Sequence, residues 1–155
     1  MENASTGNAV IKTNDQKENR IWLSFKSRSE NVSLARMMAA AIAADRDMTV
    51  AELDEIRVAV SEAVSNAIIH GYENRADEIV ELIFTMENDQ LTVAVHDDGI
   101  GIENIEEAME PHFSGTEGRM GLGFAFMHSF MDKVDVESTP GHGTTVTMVK
   151  RLCRS

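Results

Sequence analysis

The sequence predicts a two-layer α/β (α+β) sandwich, with helices laid on one face of a mainly antiparallel sheet. Three observations lead there. The segments run strand, two helices, two strands, loops with short helices, then two strands, which is not the regular alternation of a parallel doubly wound fold. Residues 78–87 and 90–97 form two strand-like runs around the polar pair Asn88-Asp89, a hairpin signature. Neither an internal repeat nor a long linker divides the 155 residues, a length suited to one domain.

Taken in order, residues 1–19 are polar and read as a flexible tail, leaving 20–155 as the folded domain. Residues 20–25 alternate Ile21, Leu23 and Phe25 with mostly polar neighbours, as a strand does. Ser29 offers an N-cap to a helix over 32–44, rich in Ala, Leu and Met. Thr49 and Glu52 fit a capping box. Behind them Leu53, Ile56, Val60, Ala63, Val64 and Ala67 keep helical spacing. His70-Gly71 closes that helix, with Gly71 suited to a left-handed C′ position. After the central hairpin come a loop at Asp98-Gly99, a short helix at 104–109 and a loop over 110–121. A helix at 122–131 and a final hairpin of 133–138 and 144–150, turning at Pro140-Gly141, complete the chain.

Composition narrows the class of function. A net charge of -12 gives no general attraction to nucleic acid or to anionic lipid. The single cysteine, Cys153, excludes an intrachain disulfide and fits a reducing compartment. No apolar run is long enough to cross a bilayer, and the first residues lack the apolar core of a signal peptide. The expected location is the cytoplasm, with no membrane and no direct nucleic-acid partner. The histidines have no metal-ligand spacing with cysteines or carboxylates, so no zinc site is expected.

Four constellations could carry chemistry. Glu62, Asn66 and His70 are four apart and share a helix face beside the apolar stripe. Asn66 could offer an oxygen to Mg²⁺, which takes few protein ligands, and Glu62 could accept a proton from an attacking hydroxyl. A solvated polar face explains the same pattern. Asp97-Asp98-Gly99-Ile100-Gly101 follows a strand directly. A carboxylate there could accept a hydrogen bond from an exocyclic amine such as adenine's, and the glycines would let the backbone approach a flat ring. An Asp-Gly turn is the plain alternative. Gly118-Arg119-Met120-Gly121-Leu122-Gly123 opens a helix and could present N–H groups and a guanidinium to phosphate, beneath a closing loop. Gly143-Thr144-Thr145 enters the last strand, where Thr144 could face a base or simply follow a turn.

In order and spacing these segments resemble the N box, G1 box and G2 box of the GHKL superfamily of gyrases, heat-shock chaperones, histidine kinases and mismatch-repair ATPases. The resemblance narrows to the anti-sigma F factor family of spore-forming bacteria. Residues 60–72 are similar to its N box almost throughout. So are 97–102, Gly121-Leu122-Gly123-Phe124, Phe130-Met131-Asp132, Gly143-Thr144-Thr145, and Glu30-Asn31-Val32 leading to Leu34-Ala35-Arg36. The likeness spans about 20–152.

The resemblance implies the GHKL (Bergerat) ATP-binding sandwich and a dimeric kinase. Such a protein holds a sporulation sigma factor of the sigma F type inactive. It also phosphorylates a serine on a small anti-anti-sigma protein of the STAS type. Carried onto this chain, Glu62 is the general base and Asn66 holds Mg²⁺ through ATP. Asp97 recognises adenine, with Gly99, Gly101 and Thr144 at the base pocket. Arg119, Gly121, Leu122 and Gly123 meet the phosphates. Arg36 becomes a candidate partner contact; Trp22 and Phe25 fit packing or dimer roles. Met120 departs from the family, which usually has a small polar residue there, and the lid at 113–121 is short.

Three alternatives remain open from sequence. A histidine kinase catalytic domain would take its phosphoacceptor from another chain, since the first histidine here is His70, inside the N box. A nucleotide-dependent sequestering module would need no general base. A related anti-sigma kinase for a stress sigma factor would share the fold.

Overall fold

The computed structural model describes residues 18–110 and 117–152, with 117–120 in backbone only. Five strands form one sheet: β1 (Glu18–Lys26), β2 (Ile79–Glu87), β3 (Gln90–Asp97), β4 (Lys133–Thr139) and β5 (Gly143–Arg151). Their order is β1-β2-β3-β5-β4, and every neighbouring pair is antiparallel. Four helices accompany them: α1 (Val32–Ala44), α2 (Val50–Asn66), α3 (Ile105–Met109) and α4 (Glu117–Phe130). The expected two-layer sandwich is therefore present, with a sheet antiparallel throughout.

The period-two pattern decides which side of the sheet is covered. Val80, Leu82, Phe84 and Met86 of β2 are buried, as are Leu91, Val93 and Val95 of β3 and Val146 and Met148 of β5. They meet Ala35, Ala39 and Ala43 of α1, Ile56, Ala59, Val60, Ala63 and Val64 of α2, and Phe124 and Met127 of α4 in one core. Each fully buried Leu or Phe contributes about 2–3 kcal/mol. The small side chains let helices lie close: α2 packs on both α1 and α4. The outer face stays open, and Trp22 is exposed there with the Arg20 guanidinium over its ring. Phe25, by contrast, packs against the core.

Local rules explain most boundaries. At α2 the capping box forms in full: Glu52 N–H donates to Thr49 Oγ1 at 3.2 Å, and Thr49 N–H donates to Glu52 Oε2 at 2.8 Å. Asn88 (φ 50°) and Asp89 (φ 118°) turn the β2–β3 hairpin.

The structure corrects four local expectations. Strand β1 starts at Glu18, so 18 and 19 belong to the sheet; residues 1–17 lie outside the described residues, as does Cys153. Ser29 does not cap α1 but opens a 3₁₀ turn, Ser29–Asn31. Gly71 is not left-handed: α2 runs into a π turn, Ala67–Gly71, and the left-handed residues are Glu73 (φ 52°) and Asn74 (φ 64°). Finally, α4 begins at Glu117 rather than 122, so Gly118 and Gly121 lie inside the helix, not ahead of it. Of the lid expected over 113–121, residues 113–116 lie outside the described residues and 117–121 belong to α4.

Candidate functional site

A cavity of about 370 Å³ opens between α2, the sheet and α3. Asn66, Ala67, His70 and Gly71 line one wall, Asp97 and Thr144 the floor, and Gly101, Asn104 and Glu107 the far side. Ala63, Val95, Phe124 and Val146 supply apolar surface. Such a mostly apolar cleft with a few convergent polar groups suits a flat heterocycle.

The floor is rigidly built. Asp97 ends β3 opposite Thr144 of β5, and both are buried. Burial raises the Asp97 carboxyl to about 6, against the pull of backbone N–H groups of Gly99 and Thr144 and the charge of His96. Gly99 N–H donates to Asp97 Oδ1 at 2.9 Å. Thr144 Oγ1 lies 2.8 Å from Ser138 Oγ, which also accepts from Ile102 N–H at 2.8 Å.

Two glycines allow the chain to close around this carboxylate, and a third lets the same loop pass close to Thr139. A Cβ on Gly71 would lie 2.6 Å from Asp97 Oδ1, and one on Gly99 would lie 2.1 Å from the Gly71 carbonyl oxygen. That explains Gly71 by close approach rather than by φ. Gly101 needs both freedoms, with φ +73° and the Thr139 carbonyl 2.3 Å from its would-be Cβ. Ile100 N–H donates to Gly71 O at 3.0 Å, stitching the loop onto the π turn.

One helical turn up α2, Asn66 faces Gly123 of α4. A Cβ on Gly123 would lie 3.1 Å from Glu62 Oε2 and 3.2 Å from Asn66 Nδ2. Among the described residues Asn66 Nδ2 is buried without a hydrogen-bond partner, an uncommon and costly state for an amide. Burial also raises the Glu62 carboxyl above the usual carboxylate range. The amide can turn to present oxygen instead of nitrogen. An unsatisfied amide beside a carboxylate and a side-chain-free helix surface fits a hydrated cation and phosphates. Among the described residues no group of three His, Cys, Asp or Glu could hold a metal alone.

The structure thus brings Asn66, Asp97, Gly101 and Thr144 to one cavity, with Gly99 bracing Asp97 and Gly123 beside Glu62 and Asn66. Gly121 and Leu122 lie on α4 outside the cavity lining, Gly121 buried and Leu122 exposed. The side chain of Arg119 is outside the described residues. Arg36 is exposed on α1, between exposed Leu34 and Met37. Sequence reasoning passed over Glu103, Asn104 and Glu107 at the cavity wall. Asn104 carried a signal, since its Oδ1 caps α3 by accepting from Glu107 N–H at 3.1 Å.

A family model described as the histidine kinase-like ATPase domain matches residues 25–150, which gives the fold and cleft their class. Curated relatives agree on a narrower group. The anti-sigma F factor of Clostridium acetobutylicum is 48% identical over 137 residues, covering 87% of this chain and 95% of that protein. That of Thermoanaerobacter pseudethanolicus is 50% identical over 136 residues, 86% of this chain and 94% of the relative. Among solved structures, the blue-light activated histidine kinase of Erythrobacter litoralis superposes with a TM-score of 0.53 at 30% identity, over 68% of this chain and 32% of that one. Its histidine kinase domain alone, at 24% identity and TM-score 0.54 over 80% and 60%, shares the fold. The chain belongs to the anti-sigma F factor family.

Proposed function

We propose that this protein binds ATP with Mg²⁺, phosphorylates a serine of an anti-anti-sigma protein, and sequesters a sigma factor of the sigma F type. The observation that carries the reading is the pairing of Asp97 on the cavity floor with Glu62 and the unpartnered Asn66 amide about a turn of helix away. One end suits a base, the other a charged phosphate and a hydroxyl nucleophile. The names of the relatives supply the partner class.

Asp97 would accept a hydrogen bond from the 6-amino group of adenine, with Thr144 and Gly101 beside the ring. Asn66 would be the protein's ligand to Mg²⁺, whose charge would offset that of the phosphates. Gly121 and Gly123 would leave the α4 surface bare where phosphates lie, and Arg119 would add a charge-assisted donor. Glu62 would take the proton of the substrate serine as its oxygen bonds to the γ-phosphorus. The bond from that phosphorus to the bridging oxygen of ADP would break in the same displacement. A carboxyl raised by its burial is a better base for this than an exposed one. Positioning supplies most of the acceleration.

Two surfaces would serve partners. Arg36, flanked by exposed Leu34 and Met37, would contact the sigma or anti-anti-sigma protein. The open face around Trp22 would join two copies as a homodimer. No described helix is long and apolar enough to cross a membrane.

The test is transfer from labelled ATP to the anti-anti-sigma protein encoded nearest this gene, with wild type and Glu62→Gln. Label on a serine with wild type alone is the expected result. Absence of transfer, despite ATP binding and sigma capture, would leave a sequestering module without chemistry.

A further inference from the structure

Tyr72 is buried to 1% exposure at the end of the π turn, yet it is not part of the cavity lining. Its backbone N–H closes that turn on Ala67 O at 2.9 Å. Its hydroxyl is fully engaged. It donates to the carbonyl of Ile79, the first residue of β2, at 2.5 Å, and accepts from the backbone N–H of Asp98 at 2.7 Å. One oxygen therefore ties together the end of the helix that bears Asn66, the exit of β3 and the entry of β2. Burial raises the phenol above its usual range, so it stays a neutral donor in ordinary buffers.

Asp98 is gripped from its other side as well. Its carboxylate Oδ1 lies 2.9 Å from His96 Nε2, and His96 Nδ1 lies 2.8 Å from Thr145 Oγ1 on β5. The pair is largely exposed and holds weakly by itself. The Tyr72 contact is the buried one. Removing its hydroxyl would strand the Asp98 N–H and the Ile79 carbonyl inside the protein.

The residue so held directly follows Asp97. Asp97 in turn has one carboxylate oxygen fixed by Gly99 N–H, so a shift of the 98–99 backbone moves that carboxylate. A carboxylate attracts the 6-amino group of adenine and repels the 6-oxo group of guanine. Discrimination of this kind depends on where the oxygens sit, because a slack carboxylate can turn aside for the wrong base.

We propose that Tyr72 is a positioning residue for purine selection: its hydroxyl, assisted by the outer His96 contact, fixes Asp98 and thereby orients the Asp97 carboxylate toward adenine. This rests on the reading of Asp97 as the adenine contact. The step is distinct from that reading because Tyr72 lies outside the cavity lining and acts through Asp98. It also links base recognition to the helix that carries Asn66, since one hydroxyl serves both.

The experiment measures binding of ATP and GTP, each with Mg²⁺, to wild type, Tyr72→Phe and His96→Ala, alongside thermal unfolding of each. The expected result is that wild type prefers ATP. Tyr72→Phe should then lower the ATP-over-GTP affinity ratio by about tenfold, as one stranded buried N–H implies, and His96→Ala by about twofold to threefold. A purely structural tyrosine would lower the melting temperature and leave the ratio unchanged, which would overturn the proposal. Should Tyr72→Phe fail to fold, an unchanged ratio in His96→Ala would overturn it equally, since that contact braces the same residue from the surface. Equal binding of ATP and GTP by wild type would instead remove the adenine reading of Asp97, and the inference with it.

Discussion

The two ends of the cavity are built on opposite principles. At the floor, Asp97, Gly99, Thr144 and Ser138 hydrogen-bond one another, and glycines admit backbone to within contact of the carboxylate. That end is complete before any ligand arrives. At the other end, Asn66 Nδ2 is buried with no partner among the described residues, and next to it, outside the lining, Glu62 faces a bare helix surface at Gly123. That end is left for a ligand to complete. A site divided this way recognises by shape at one end and gains most of its binding-linked stability at the other.

The comparison can be broken at its chemical end first. Replacing Glu62 with Gln keeps the shape and removes the base. Serine phosphorylation should fall by about 10³-fold while ATP affinity, measured by calorimetry, changes by less than about threefold. Next comes the rigid end. Gly99→Ala forces a Cβ to 2.1 Å from the Gly71 carbonyl, so unfolding in denaturant should show a loss of about 3 kcal/mol. A variant of wild-type stability would show that the floor is soft.

The unsatisfied end answers differently. Asn66→Ala removes an orphan, so unfolding of the ligand-free protein should change by less than about 1 kcal/mol. Affinity for ATP with Mg²⁺ should nonetheless drop at least about tenfold, and the rise in melting temperature on adding both should shrink. The gentlest lever is pH. Asp97 is lifted from 3.8 to about 6 in the folded protein, so the folded state binds its proton more tightly. Its contribution to stability is full below about 4 and is lost as pH rises through about 6. Acceptance of an amine needs the ionised form, so nucleotide affinity should fall about tenfold from about pH 7 to about pH 5. Asp97→Asn should abolish that slope.

Much of this architecture is written locally. The capping box at Thr49–Glu52 and the hairpin at Asn88-Asp89 are rules of a few neighbouring residues, and both stand where the sequence puts them. Asp97 and Thr144 were legible as strand ends, and pairing of β3 with β5 brings them face to face. The start of α4 was not legible, because Gly118 and Gly121 argue against a helix by propensity, as Gly123 does further in. Packing overrides them: Gly123 lets α4 settle against Glu62 and Asn66, a contact known only once the fold is assembled. The same holds for Gly71, whose role depends on Asp97 far along the chain. Tyr72 reads as one more aromatic core residue until its hydroxyl partners are seen.

The π turn at the end of α2 makes that stretch intolerant of changes in length. Each residue of a helix advances the chain by roughly 100° around its axis. Inserting one residue into Ala67–Gly71, which already winds wider than an α-helix, would swing everything beyond it by that angle. The tyrosine that follows would then point away from β2 and β3, although every amino acid touching the cavity were still present. A substitution here alters one side chain, whereas a single-codon insertion would undo the joint outright.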